Sequence, residues 1–406
     1  MNLNTVADVP SFSSITPAVR VHAGPGALEK LPRELDRLDA RRAFVICGNS
    51  VATRTPLLAR VRDILETRYA GAYTQLGKDA PVGDVQEAAR LAREVGADAL
   101  IAIGAGSVLK AVRVVAILMA EDGAPETLAT QYPEGRPPIS PRLHAPKPPI
   151  FNVVTAATSA QNRGGAALKN PGGPRLEYFD PKTRPTAIFW DAEALLTAPP
   201  SLALSTGVGV YWRALMNAGA IRRANPLVQA SRLHAYTLAR DALPRMTDPG
   251  DAQARIDMCA AALLQNRDED DGGRPFDAHW IARSVYALGA ALFNQAAHLD
   301  QGTTHALLTA PALRHFGDLC PDNVKELAVA LGLDPQQDTG LADAVADAVH
   351  QLLAGLGLPM RLRELDVTPE LFPTALEHSL QNFNADRARE MVKHRARLEA
   401  LLHDAY

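Results

Sequence analysis

Cysteine is scarce in this 406-residue chain: Cys47, Cys259 and Cys320 stand far apart, and no CxxC pair occurs. That excludes the paired-thiolate pattern of a zinc or redox centre and a disulfide-stapled scaffold. An odd, sparse count suits a reducing cytosol, so a cytoplasmic location is expected. No stretch approaches the roughly 20 uncharged apolar residues of a membrane span. There is no long basic run, and the formal net charge of -3 is spread with both signs interspersed. Neither nucleic acid nor an anionic membrane is therefore expected as a partner. The opening MNLNTVADVPSF has neither the basic stretch nor the apolar core of a secretory leader. Internal repeats, coiled-coil heptads and low-complexity tracts are also missing.

What the chain does have is a 47% hydrophobic, 21% charged composition, enough for a sizeable core in one large or two ordinary domains. The first half alternates. Arg42 to Cys47 (RAFVIC), Ala99 to Ile103 (ALIAI), Ile150 to Val154 (IFNVV) and Ala187 to Trp190 (AIFW) read as buried strands. Between them, Pro56 to Tyr69 is amphipathic, and Val85 to Val95 has helical spacing and ends at Gly96, a natural C-cap. Strands alternating with helices predict a parallel sheet with right-handed crossovers. Glu121 to Pro149 and Asn170 to Pro185 are polar and proline-rich and read as long loops. From about Pro199 strand signals vanish. Leu202 to Ala220, Pro226 to Leu243, Asp251 to Gln265 and Trp280 to Ala297 all carry helical periodicity. The reading is an α/β, Rossmann-like nucleotide-binding domain over residues 1–193 and an all-helical domain over residues 194–406.

Gly104-Ala105-Gly106-Ser107 follows a strand and opens a helix at Val108. Glycines there let the backbone approach a phosphate, and the free N–H groups and dipole of a helix start favour an anion. It is neither GxGxxG nor a P-loop, and a tight strand-to-helix turn without ligand fits the same residues.

A resemblance extends this. Ala97 to Ser107 (ADALIAIGAGS) resembles the GADxxxAIGGGS segment of the iron-dependent alcohol dehydrogenase superfamily, which includes maleylacetate reductases and is related in fold to dehydroquinate synthase. Collinear with it, Thr186 to Pro200, Ser205 to Gly209, Asn225-Pro226-Leu227, His305-Ala306 and Leu358-Pro359 to Leu365 resemble further segments of that family. The resemblance implies a dehydroquinate synthase-like fold, NAD or NADP held at Gly104, Ala105, Gly106 and Ser107, and a homodimer paired through an N-terminal strand such as Ala18 to His22. It implies that the loop Thr155 to Asn162, with Thr155 and Thr158, lines the nicotinamide ribose. The first strand ends in Gly48-Asn49-Ser50 with no acid, which permits NADP without demanding it. After the glycine turn, positions where the family often has Asp and Lys are Lys110 and Arg113.

The family's metalloenzymes hold a divalent metal with one Asp and three His. By alignment those positions are Gly209, Arg213, Ala287 or Ala291, and Gln301, none of them an acceptable ligand beyond the poor donor glutamine. No metal is therefore expected here. Arg213 then reads as a fixed charge for a substrate carboxylate or developing enolate, or as a domain-interface ion pair. His305 reads as a proton donor or as a structural histidine at a helix start. Gln301 reads as an orienter of a substrate oxygen or a plain polar residue. His298 reads as an exposed or interface histidine, the Asp268 to Gly273 run as a solvated acidic turn, and Tyr211-Trp212 as core or cleft lining. Three functions stay open: a metal-independent NAD(P)-linked reductase of a small, acidic carbonyl or unsaturated keto acid, a non-redox lyase or cyclase on the same fold, and a non-catalytic pathway protein.

Overall fold

The computed structural model describes residues 11–133, 136, 138–276, 278–337 and 339–406. Most of the stretch read for a leader lies outside the described residues. The chain forms two compact units. A sheet unit comprises residues 17–199 and 249–259. A helical unit comprises the described residues up to Thr16, then 200–248 and 260–406. Relative to the expected division at 193/194, the boundary falls between Pro199 and Pro200. Two short segments also change sides. The helix Ala252–Asp270 gives its first turns to the sheet unit and the rest to the helical unit.

The sheet unit holds β1 (Arg20–Gly24), β2 (Ala43–Cys47), β3 (Tyr69–Tyr73), β4 (Ala99–Gly104), β5 (Ile150–Val154), β6 (Gly165–Leu168), β7 (Leu176–Phe179) and β8 (Ala187–Asp191). Six strands form one sheet in the order β1-β8-β5-β4-β2-β3, every pair parallel. β2, β4, β5 and β8 are buried at every residue, which is why they read as unbroken apolar runs. One face of the sheet carries Val45, Ile101, Phe151, Val153 and Phe189, which pack with Leu28, Leu31, Leu57, Val61 and Leu65. Full burial of each such side chain stabilises by roughly 1.5–3 kcal/mol.

Two elements differ from the sequence reading. The amphipathic stretch from Pro56 is α-helical over Leu57–Leu65 and a 3-10 turn over Glu66–Arg68, and Tyr69–Tyr73 is the edge strand β3. Its residues are half-buried and include two alanines and a glycine, so it lacks the bulky alternation that marks a strand. The second polar stretch is partly ordered as well: β7 pairs antiparallel with β6 as a hairpin. Between Glu121 and Pro149 the described residues hold one short helix, Pro125–Leu128, and an isolated bridge between Gln131 and Ile139.

In the helical unit the periodic segments become the helices Pro200–Ala218, Pro226–Ala242, Ala252–Asp270 and Trp280–Gln295. No strand follows β8 among the described residues. The helix Gln301–Phe316 is central: it is buried around most of its circumference and packs on Pro200–Ala218, Trp280–Gln295 and Leu341–Ala354. No helix of the described residues is long and apolar enough to cross a membrane.

Candidate functional site

In the sheet unit the chain passes from β2 outward to β3, then returns to the other side of β2 as β4. Loops leaving the carboxyl ends of β2 and β4 therefore diverge, the arrangement at which open parallel sheets bind ligands. The loops after β2, β4 and β5 stand side by side because those strands are neighbours. They carry Asn49, then Gly104 to Ser107, then Thr155 and Thr158, so the structure brings the sequence-predicted cofactor residues to one edge of the sheet.

The glycine turn is built by close approach. Gly104 has φ +157°, and a Cβ there would lie 2.7 Å from Val108 Cγ2. Its carbonyl accepts from Thr155 N–H at 3.1 Å, which ties the turn to the loop after β5. Ala105 is the N-cap of the helix Gly106–Ala120, and no side chain caps that helix start. The first N–H groups thus have no intrahelical partner and face outward with the positive end of the dipole. A Cβ on Gly106 would stand 3.6 Å from Thr158 Oγ1. Thr158 accepts from Ala160 N–H at 3.1 Å, and Asn49 is exposed at the start of the helix Asn49–Arg54.

Two supports were not legible in the sequence. Ser107 Oγ accepts from Asp79 N–H at 2.9 Å, so the loop after β3 holds that hydroxyl. Gln161 is wholly buried: it donates to Cys259 O and accepts from Trp190 Nε1, both at 2.8 Å, and so fixes the loop Thr155 to Asn162. A glutamine among small polar residues carries no sequence signal of burial. Arg113 is buried and donates to Gly165 O, and burial pushes its guanidinium down to about 9.

The helical unit carries the other candidates. Gly209 and Gly302 sit where the helices Pro200–Ala218 and Gln301–Phe316 touch backbone to backbone. A Cβ on Gly209 would lie 3.3 Å from Gly302 Cα, and one on Gly302 only 2.0 Å from Ser205 O. The position aligned with the family's aspartate has no donor atom, and a side chain there would press on the Gly302 backbone, so glycine at this place does not fit a metal ligand. Among the described residues no group of three or more His, Cys, Asp or Glu is placed to hold a metal ion.

Arg213 is 4% exposed. It donates to Asn266 Oδ1 at 2.9 Å and to Gln265 O at 2.8 Å, and its guanidinium carbon stands 4.8 Å from the Phe276 ring centre. Gln265 reciprocates by donating to Val210 O at 2.7 Å. These bonds cross-link the helices Pro200–Ala218 and Ala252–Asp270. His305 is fully buried, its ring 4.2 Å from that of Trp212 and near those of Tyr286 and Phe293. A Cβ on Gly289 would lie 2.3 Å from His305 Cδ2, so that glycine makes the notch for the ring. Burial pushes the imidazole down to about 3. In this arrangement the ring is enclosed, and burial disfavours its charged form. Gln301, in contrast, is exposed at the first position of its helix.

The remaining candidates are structural. His298 is exposed and bonds Leu365 O at 2.9 Å. Tyr211 and Trp212 are core residues. The acidic run is not a solvated turn: Asp268 is buried in an ion pair with Arg232 at 2.5 Å, and buried Asp271 accepts from Ser14 at 2.6 Å.

Comparison with known proteins accounts for both units. A family model described as iron-containing alcohol dehydrogenase matches residues 18–192, and one for the C-terminal part of the same family matches residues 214–406. A maleylacetate reductase of Pseudomonas knackmussii is 26% identical over 396 residues, 95% of either chain. A 4-hydroxybutyrate dehydrogenase of Cupriavidus necator is 25% identical over 368 residues, 89% of this chain and 91% of its own. Among solved structures, the sulfoacetaldehyde reductase of Bifidobacterium kashiwanohense in complex with NAD+ superposes with a TM-score of 0.79 at 19% identity, over 98% of this chain and 99% of that one. This chain belongs to the iron-containing alcohol dehydrogenase family and is an oxidoreductase of it.

Proposed function

We propose that this chain is an NAD(P)-linked reductase of a small anionic carbonyl compound or unsaturated keto acid, working without a metal at the family's metal position. The observation that carries the reading is the uncapped helix start behind Gly104, at the switch point of the parallel sheet. Gly104 and Gly106 admit a phosphate close to the backbone, Ser107 offers a hydroxyl whose acceptor side is already engaged by Asp79, and Thr155 and Thr158 border the same edge. A bound nicotinamide would supply the hydride. The chain's share is to orient it and the substrate.

The names of the three relatives above all denote carboxylate or sulfonate compounds, which supports an anionic substrate. The closed contact of Gly209 with Gly302 supports metal independence. Of the three candidate catalytic residues, exposed Gln301 is the one we assign to a substrate oxygen. Arg213 and His305 we assign to holding the helices that present it. β1 is an edge strand, which supports pairing of two copies there into a homodimer.

Fluorescence titration with NADH and NADPH tests the reading, with Gly106→Val, where a side chain meets only an ordinary contact to Thr158, as the control that fills the cradle. We expect binding of at least one nucleotide, lost in the variant at unchanged fold. Wild-type protein that binds neither at millimolar concentration refutes the proposal. Turnover of keto acids abolished by a chelator and restored by iron or zinc refutes metal independence, and a monomer in light scattering at micromolar concentration refutes the dimer.

A further inference from the structure

Lys110 lies three residues after Ser107 and four after Gly106 on the helix Gly106–Ala120, so all three share one face. That face is the open one: Ala105, Gly106, Ser107 and Lys110 are partly exposed, whereas Val108, Leu109, Ala111 and Val112 are buried. Side chains on a helix lean toward its N-terminus, which sends a lysine at this position back over the first turn. Lys110 makes no hydrogen bond or contact ion pair among the described residues. Its surroundings hold one carboxylate, Asp79, and two further cations, Arg175 and Arg113. Asp79 is itself shared with Arg175, whose Nη2 stands 3.9 Å from it.

The loop that carries Asp79 is held hard. Asp79 and Ala80 have φ values of +63° and +54°, a conformation costly for side-chain-bearing residues. Both of their carbonyls accept from Lys169 N–H at 3.2 Å. Strain of this kind persists where surrounding structure enforces it, and here it aims the Asp79 N–H at Ser107 Oγ. With that bond accepted, the Ser107 hydroxyl proton is left to donate elsewhere. Burial, opposed by Asp79 and reinforced by Arg175 and Arg113, holds the Lys110 ammonium below the ordinary lysine range. An anion arriving at the helix start supplies the negative charge this cluster lacks.

We propose that Lys110 is a cationic anchor for a diphosphate seated at the glycine turn, acting with Ser107 and the helix start to set nucleotide affinity. This rests on the nucleotide reading above. It deepens that reading by naming a determinant peculiar to this chain, since the resemblance places an aspartate at the position.

The test is calorimetric titration of the full chain with NADH, ADP-ribose and inorganic pyrophosphate at low and moderate salt. It compares wild type with Lys110→Gln, Lys110→Arg and Asp79→Asn. Loss of one charge-assisted contact is expected to weaken Lys110→Gln by about tenfold or more for all three ligands and to flatten the salt dependence. Lys110→Arg should recover part of the affinity. Asp79→Asn, which frees the ammonium from its one carboxylate, should bind as well as wild type or better. Lys110→Gln binding NADH like wild type overturns the anchor and leaves the nucleotide reading standing. Pyrophosphate binding that depends on Lys110, with no NADH binding, keeps the anchor and overturns the dinucleotide reading. No binding of any of the three by wild type overturns both. Should Lys110→Gln fail to fold, the other two variants decide: Asp79→Asn weakening all three ligands while Lys110→Arg also fails to bind overturns the anchor.

Discussion

Two pairs of glycines do opposite work in this molecule. Gly104 and Gly106 open a space: without side chains the backbone at a helix start stays bare, and its N–H groups remain available. Gly209 and Gly302 close one: without side chains two helices meet backbone to backbone, and Gly302 leaves only 2.0 Å between where a Cβ would be and Ser205 O. The first pair lies at the turn that the resemblance assigns to a nucleotide, and Gly209 of the second stands at a position that it assigns to a metal ligand. An absent side chain is therefore not a uniform signal. At a turn with uncapped donors it preserves a binding surface, and between packed helices it removes one. Around the closed pair the helical unit is tightly packed, with Arg213 cross-linking two helices and His305 enclosed by aromatic rings.

The sharpest way to break this comparison is to force a side chain into the closed contact. Gly302→His, or Gly209→Asp, should push the helices Pro200–Ala218 and Gln301–Phe316 apart. Overpacking costs about 1–3 kcal/mol in side-chain cores and more against backbone, so a loss of at least about 3 kcal/mol is expected for Gly302→His. Urea unfolding reads it. A variant as stable as wild type that gains stoichiometric iron would show that the contact is adaptable and the site latent. Arg213 comes next. Arg213→Met leaves Asn266 Oδ1 and the Gln265 carbonyl without this donor in a dry interior, at an expected cost of about 2–4 kcal/mol. Arg213→Lys should recover less than half, because an ammonium cannot span two acceptors as a planar fork does. If Arg213→Met instead kept full stability and lost turnover, the guanidinium would belong to the substrate and the cross-link reading would fall.

Acid sensitivity sharpens the same contrast. The folded-state pKa values of His305 and His279 are pushed down from 6.5 to about 3 and about 4 by burial. A depressed histidine binds its proton more readily in the unfolded chain. Stability is therefore complete above pH 6.5 and falls as pH drops toward 4, by up to about 1.4 kcal/mol per unit for each histidine. His305→Phe keeps the aromatic packing and removes one of the two contributions. Its unfolding free energy between pH 6.5 and 4 should fall less steeply than that of wild type, with similar stability at pH 8. Parallel curves for the two proteins would mean that His305 protonates freely in the folded state, which would return it to the candidates for proton transfer.

Legibility followed the range of the interaction. The four central strands and the first four long helices were readable because burial imposes a local pattern, as in Ala99 to Ile103 or Trp280 to Gln295. β3 and β7 were not, since edge and hairpin strands are largely exposed or half buried and lack the continuous apolar run of the central strands. The glycine turn was visible as a motif, but its hold on Ser107 by Asp79 crosses 28 residues. The fate of Arg213 could not be read at all. Whether a guanidinium meets a substrate or Gln265 depends on how two helices pack, and the residue type suits either. Asp268 was misread for a related reason: a cluster of acids looks solvated until Arg232, 36 residues away, is found against it.

The smallest expected effect lies on the open side of the comparison, at Asn49. This residue is exposed at the start of the helix after β2, with Gly48 as the N-cap and no acidic residue at Gly48, Asn49 or Ser50. A carboxylate at the end of that strand pairs with the adenosine ribose hydroxyls and repels a 2′-phosphate. Asn49→Asp should therefore shift the ratio of NADH to NADPH affinity toward NADH. At an exposed position, screened by water and salt, the change is about threefold to tenfold, or roughly 0.6–1.4 kcal/mol, and it should shrink as ionic strength rises. An acid in the first turn also suits the helix dipole, so stability should hold or rise slightly. Both nucleotides weakening equally would mean that Asn49 touches a part common to both, such as the ribose or the diphosphate. No change in either would place the nucleotide away from β2, and the switch-point assignment of the open edge would then fail with it.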